Sequence, residues 1–213
     1  MAALEEVETG MTVGLGTGTT AACFLSHLAG RVRSGLSITA VGTSLATEKA
    51  ARAAGITIVA FADVAAVDLT VDGIDEIDDR LRAIKGAGGA MLREKIVATA
   101  SRRMVVIADA SKLSGALGRN PVPVEVLPYA REFVLSALRS LDARPTLRIA
   151  DRRPVVSDQG HLIVDCAFTA LPDPGATAAA LSAIPGVLGH GLFLTEIDAA
   201  YIADGGVVAR HDR

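Results

Sequence analysis

Between Asp72 and Glu94 the chain gathers carboxylates, an ammonium group and nearly bare backbone. Asp72, Asp75, Glu76, Asp78 and Asp79 crowd one acidic turn; Lys85 follows, then Gly86-Ala87-Gly88-Gly89, then Glu94. A carboxylate can take up a proton and return it. An ammonium group or a row of N–H donors can hold negative charge as it develops on oxygen. The inventory suits acid–base chemistry on a small anionic substrate.

The individual residues leave alternatives open. Asp72-Gly73-Ile74-Asp75 is a strong turn signal, and it also sets two carboxylates where mutual repulsion would raise one pKa. A metal reading is weaker: no His or Cys lies near, and the spacing does not fit an EF-hand loop. Glu94 follows the glycine-rich loop onto a helix, where at about 100° per residue it falls between Val97 and Ala98. Its i+4 neighbour is Ala98, so it has no intrahelical cation at the favoured spacing. A surface position is the ordinary state of a glutamate; partial burial would raise its pKa toward that of a useful general base. Lys85 is either a solvated lysine or a positive charge beside a developing oxyanion.

A second cluster lies near the N-terminus, Gly14-Leu15-Gly16-Thr17-Gly18-Thr19-Thr20. The glycines permit a tight turn, and Thr19 and Thr20 add hydroxyls at a helix N-terminus, where the macrodipole favours an anion. Phosphate is the natural guest, although an ordinary strand-to-helix turn would use the same residues. The P-loop pattern is absent, and glycines at 14, 16 and 18 make a poor dinucleotide fingerprint. Lys112 is either a further phosphate ligand or a solvated loop lysine.

These residues need elements to hold them. Met1–Val7 reads as a short helical scrap. Strands are expected at Met11–Val13, Ser37–Val41, Ile56–Phe61, Val67–Val71 and Met104–Ala108. Helices are expected from Ala21, over Leu45–Ala54 with Gly55 ending it, and around Glu94. Strands alternating with helices imply parallel βαβ units, whose ligands bind beyond the strand carboxyl ends. Pro121-Val122-Pro123-Val124-Glu125-Val126 marks a change of texture. Beyond it come a helix over 130–141, strands near 146–149 and 162–168, a helix over 174–183 capped by Asp173, and a strand near 192–196. The order is that of a split βαβ sandwich, a second and smaller domain. Strands at 199–203 and 207–209, joined by Asp204-Gly205-Gly206, return to the first sheet.

Composition excludes several classes. Of 213 residues 50% are hydrophobic, enough for a sizeable core, and the net charge is −3, so no basic stripe is available. With five Phe, two Tyr and no Trp, base stacking is disfavoured and no nucleic-acid partner is expected. No apolar run reaches the roughly 18 residues of a membrane span. Glu5, Glu6 and Glu8 occupy the place of a signal-peptide core. Cys23 and Cys166 read as buried thiols in a reducing cytoplasm.

Together these stretches resemble the type A ribose-5-phosphate isomerase family. The resemblance is carried by Gly14–Thr20, Val71-Asp72-Gly73-Ile74-Asp75-Glu76, Lys85-Gly86-Ala87-Gly88-Gly89-Ala90, Leu92-Arg93-Glu94-Lys95, Ala108-Asp109-Ala110-Ser111-Lys112 and Pro121–Val126, in order along nearly the whole chain. Ile184-Pro185-Gly186-Val187 also looks like the family. It implies an α/β fold, a Rossmann-like parallel-sheet domain (1–125 plus about 197–213) with a smaller ferredoxin-like α+β lid domain (about 126–196). It implies interconversion of the aldose ribose 5-phosphate and the ketose ribulose 5-phosphate through an enediolate, in the non-oxidative pentose phosphate pathway. No metal and no cofactor are implied, and assembly as a homodimer or homotetramer is. Glu94 matches the proton-shuttling base, Asp72 the aspartate associated with ring opening, and Asp75 and Lys85 residues around the reacting oxygens. Thr17, Gly18, Thr19, Thr20, Gly73, Ile74, Gly86, Ala87, Gly88 and Lys112 match substrate and phosphate contacts.

There are departures. The family begins with a longer helix bearing a phosphate-binding lysine, whereas the first lysine here is Lys49. Either the start lies further upstream, or phosphate binding rests on Lys112 and the threonine loop, with weakened affinity. Thr19 stands where serine is common, and either hydroxyl can donate. Two other classes stay open. A non-catalytic sugar-phosphate sensor would not need Glu94 with Lys85, and no helix-turn-helix segment accompanies this chain. An acyl-CoA transferase would use a glutamate as nucleophile, but no large acyl-CoA site is evident.

Overall fold

A computed structural model describes residues 2–213. In chain order the elements are β1 (Thr12–Leu15), α1 (Thr19–Arg33), β2 (Thr39–Gly42), α2 (Leu45–Ala53), β3 (Leu69–Gly73), β4 (Glu76–Ile77), β5 (Ala83–Ile84), α3 (Met91–Thr99) and β6 (Met104–Asp109). They continue with β7 (Val122–Val126), α4 (Arg131–Arg139), β8 (Ala143–Leu147), β9 (Ile149–Ala150), β10 (Arg153–Pro154), β11 (Leu162–Phe168), α5 (Pro174–Ser182), β12 (Val187–His190), β13 (Leu192–Phe193), β14 (Ala199–Asp204) and β15 (Val207–Asp212). Contacts divide the chain into two units. The first holds the chain up to Ile74, Ile96–Lys112 and Thr195–Arg213; the second holds Asp75–Lys95 and Leu113–Leu194.

The first unit is built on a six-stranded sheet in the order β15-β14-β6-β3-β1-β2, parallel except for β15. Its inner strands read as apolar runs because both faces are covered. Val13 and Leu15 of β1 share a core with Phe24 and Leu28 of α1. On α1, Ala21, Phe24 and Leu28 recur at helical spacing and are buried. The opposite face packs Val41, Val67 and Val97. Ser44 caps α2, its Oγ accepting the Thr47 N–H at 3.0 Å. The hairpin of β14 and β15 turns at Gly205-Gly206 and joins the sheet through β6.

Three expectations are corrected here. Ile56–Phe61 is not a strand: Ile58 makes a single bridge to Ala40, and the chain then curls into a 3-10 turn at Phe61–Asp63. Its β-branched residues had the propensity but only one short neighbour to pair with. Cys23 is exposed, since it lies off the buried stripe of α1, while Cys166 is buried. The scrap expected over Met1–Val7 is a 3-10 turn, Ala2–Glu6; Met1 lies outside the described residues.

The second unit carries a four-stranded antiparallel sheet in the order β12-β7-β11-β8. Its connectivity, β7-α4-β8-β11-α5-β12 with the β9–β10 hairpin inserted, is the ferredoxin-like pattern. Val122, Val124 and Val126 pack with Val134 and Leu138 of α4 and Leu181 of α5. Asp173 caps α5 through the Ala176 N–H at 2.9 Å, with Pro174 in the first turn. A small antiparallel sheet, β13-β5-β4, completes the unit. The architecture is therefore α/β, a Rossmann-like parallel sheet and a smaller ferredoxin-like α+β unit.

The boundaries differ from those expected. The boundary expected between 125 and 126 would cut β7: Val122–Val126 is an inner strand of the antiparallel sheet, so this segment belongs to the second unit. Asp75–Lys95 joins it too, because β4 and β5 pair with each other and β5 pairs with β13. Among the described residues no helix is long and apolar enough to cross a membrane.

Candidate active site

In the second unit the chain turns through Lys85–Gly89 and enters α3, which carries Glu94 in its first turn. Gly86 and Gly89 adopt φ of 100° and 83°, values that side chains resist. The Gly89 N–H closes the turn on Gly86 O at 2.9 Å. Asp75 Oδ2 accepts the Ala87 N–H at 2.9 Å. Lys85 is tied down by its own N–H, which donates to Gly191 O at 2.9 Å. Gly191 must be glycine there, because a Cβ would lie 2.1 Å from Lys85 O.

These constraints bring two charges together. Lys85 Nζ lies 3.5 Å from Glu94 Oε1, and the two side chains are 2% and 5% exposed. Lys85 also lies 5.5 Å from the centre of the Phe193 ring, whose π face favours a cation, and Lys95 lies 4.3 Å from it. Lys95 Nζ donates to Leu192 O. Glu94 thus meets a cation from the preceding loop. A buried carboxylate and ammonium group beside a glycine loop can move a proton and hold the charge left behind.

In the first unit the threonine loop is shaped by Asp72, which is fully buried. Asp72 Oδ1 accepts the Thr17 N–H at 2.9 Å and the Gly73 N–H at 2.7 Å. The backbone of Gly16 passes so near that a Cβ would stand 2.5 Å from Asp72 Cα. The Thr17 hydroxyl bonds Thr43 Oγ1 at 2.8 Å and Thr47 Oγ1 at 3.2 Å, and Thr47 donates to Gly16 O at 3.0 Å. Gly18, with φ of 101°, is the N-cap of α1 and offers no side-chain cap, and Thr19 is exposed. The first-turn amides thus receive no side-chain cap from Gly18, an arrangement suited to an anion.

Several expectations are refined. Asp72 and Asp75 accept bonds from separate N–H donors, Asp72 from Thr17 and Gly73 and Asp75 from Ala87. Thr17 is engaged on both its N–H and its hydroxyl within the protein, so it shapes the loop. Ile74 is buried and Gly73 half-buried at the end of β3. Ala87 and Gly88 are exposed and Gly86 is buried. Lys112 is half-buried in the 3-10 turn after β6. Asp109 is held below its ordinary pKa by hydrogen bonds from Ser111, with the Lys112 charge adding to them. Among the described residues no group of three His, Cys, Asp or Glu could hold a metal ion. Sequence reasoning missed Thr47 and Phe193, whose partners lie far along the chain and leave no local pattern.

A family model, ribose 5-phosphate isomerase A (phosphoriboisomerase A), matches residues 39–206. The chain belongs to that family. It is 54% identical over 210 residues to ribose-5-phosphate isomerase A of Sphingopyxis alaskensis, covering 98% of this chain and 92% of that one. It is 49% identical over 208 residues to the protein of the same name from Methylorubrum extorquens, covering 94% and 88%. Among solved structures, ribose 5-phosphate isomerase A from Methanocaldococcus jannaschii superposes with a TM-score of 0.95 at 34% identity, over 100% of this chain and 95% of that one. A D-ribose-5-phosphate isomerase in complex with phospho-erythronic acid superposes with 0.96 at 34% identity and the same coverage.

Proposed function

We propose that this chain interconverts D-ribose 5-phosphate and D-ribulose 5-phosphate, with Glu94 as the base. The observation that carries the assignment of the base is the buried Lys85–Glu94 pair, 3.5 Å apart, reached through a glycine-rich loop. Family membership supports the reaction, and an isomerase that resembles this chain over its full length was solved with phospho-erythronic acid.

On the open-chain aldose, the Glu94 carboxylate takes the C2 proton. The C–H electron pair forms the C1–C2 double bond, and negative charge moves onto O1. Lys85, Asp75 and the Gly86-Ala87-Gly88 backbone surround the reacting oxygens. Glu94 then returns the proton to C1 while the O2 hydroxyl proton is lost and O1 gains one, leaving the ketone at C2. A positioned base is worth about 10²–10⁴-fold and oxyanion donors about 10²–10³-fold. Asp72 assists opening of the sugar ring. Gly18, Thr19, Thr20, Gly73, Ile74 and Lys112 contact the substrate and its phosphate, whose remote binding energy holds the sugar in register. No metal or organic cofactor takes part in these steps. The chain assembles as a homodimer or homotetramer, which sedimentation would establish; Tyr129 and Phe133, four residues apart and 97% and 59% exposed, are apolar surface that assembly would cover. Both cysteines are free thiols, as a reducing cytoplasm keeps them.

The test is conversion of ribose 5-phosphate by the purified chain in EDTA, beside Glu94→Gln. Activity in the parent and a loss of about 10²-fold or more in the variant is expected. Equal activity in both would move the base elsewhere. Sugar-phosphate binding without turnover in the parent would leave a sensor.

A further inference from the structure

The glycine-rich loop has almost no side chains with which to fix itself. Gly86, Ala87, Gly88 and Gly89 contribute one methyl group between them, and glycine loses more conformational freedom on ordering than any other residue. Yet this loop joins Lys85 to the helix that carries Glu94. Something outside the loop must hold it.

We infer that Arg148 is the positioning residue of this loop, locked in place by Asp165. Its backbone is held on both sides: its N–H donates to Ile163 O at 2.8 Å, and its carbonyl accepts the Val155 N–H at 2.9 Å. Its guanidinium forks onto Asp165, Nε to Oδ2 at 2.9 Å and Nη2 to Oδ1 at 2.5 Å. The fork fixes the plane of the group and leaves Nη1 for the loop, where it donates to Ala87 O at 2.8 Å and Gly86 O at 3.3 Å. Asp75 holds the Ala87 N–H. Ala87 is therefore gripped by an acid at its N–H and a base at its carbonyl. The guanidinium and its carboxylate are 18% and 25% exposed, shielded enough for a charge-assisted fork to hold its geometry. A lysine has one ammonium group and could not make a planar fork and reach the loop carbonyls as well. Arg148 acts through the path of the chain from Lys85 to Glu94.

This inference rests on the isomerase reading for its effect on turnover, but not for its effect on the loop. The experiment pairs two readouts on Arg148→Ala, Arg148→Lys and Asp165→Asn: steady-state kinetics with ribose 5-phosphate, and amide hydrogen exchange at Ala87–Gly89. In Arg148→Ala the loop amides should exchange faster, and kcat should fall by about 10- to 100-fold, the loss that a misplacement of about 1 Å causes. KM should change far less, and the remaining amides of the unit should keep their protection. Arg148→Lys should restore part of kcat, and Asp165→Asn should show the same two effects more weakly. If Arg148→Ala does not fold, Asp165→Asn, which keeps the guanidinium, carries both readouts. Unchanged loop exchange overturns the clamp. Faster exchange with unchanged kcat overturns the positioning role. Failure of Glu94→Gln to lose activity would instead strike the assignment of the base, while loop exchange still decides the clamp.

Discussion

Two loops in this chain are held in shape by different physics. The threonine loop of the first unit has no charged side chain of its own: its hydroxyls, amides and glycines are arranged around the buried Asp72 carboxylate through short, directional hydrogen bonds. The glycine loop of the second unit is ionic. Lys85 and Glu94 face each other with both side chains buried, and Arg148 and Asp165 form a second ion pair against the same loop. The threonine loop depends on shape and should tolerate loss of a hydroxyl better than insertion of a methyl group. The ionic loop depends on pairing and should tolerate no unmatched charge.

The largest effect is expected where that pairing is broken. Lys85→Met removes the ammonium group beside the buried Glu94 carboxylate. Stability should fall by about 3–5 kcal/mol in urea denaturation, and kcat by about 10²–10³-fold. Next comes Gly16→Ala, which drives a methyl group against the Asp72 backbone, 2.5 Å away, and against Oδ1, 2.1 Å away. A cost of about 1–3 kcal/mol should accompany a raised KM, because the loop proposed to bind the substrate is displaced. If Gly16→Ala is silent while Lys85→Met is severe, shape does not govern the first loop.

The remaining predictions concern pH and thiol chemistry. Burial opposes ionisation of Glu6, but hydrogen bonds from Arg103 at 2.5 Å and Tyr201 at 2.7 Å outweigh it, and its pKa lies below the ordinary 4.5. A carboxylate with a lowered folded pKa stabilises fully above its unfolded value and loses that contribution as pH falls through the folded one. Glu6→Gln should therefore cost about 1–3 kcal/mol near neutrality and flatten the decline of stability below pH 4.5, read from melting temperature against pH. The smallest effect separates the two thiols. Burial, with the nearby Asp165 charge adding to it, pushes Cys166 up to about 12, whereas Cys23 is exposed. At pH near 8 a disulfide reagent should titrate one thiol per native chain.

The two loops also differed in what the sequence revealed. The threonine loop was legible because its signal is local: glycines, threonines and a strand-to-helix transition lie within seven residues. Glu94 and Lys85 were legible as residue types, but their pairing depends on a backbone route that glycines permit and do not dictate. Arg148 left no trace, since Asp165 lies 17 positions away and Ala87 lies 61 away. The fold class followed from alternation of elements. The unit boundaries did not, because β5 pairs with β13 more than a hundred residues later, and no periodicity reports that. Cys23 was misread because an apolar neighbourhood in sequence is not the buried face of a helix.

The most direct measurement is proton exchange at the sugar in D2O. Wild-type enzyme equilibrated with ribose 5-phosphate should introduce deuterium at C1 of ribulose 5-phosphate and at C2 of ribose 5-phosphate, since a single carboxylate carries the proton and can trade it with solvent. Glu94→Gln, folded and still binding the sugar phosphate, should lose this exchange and isomerisation together. Exchange that persists in Glu94→Gln at near the parent rate would contradict the assignment of Glu94 as the base.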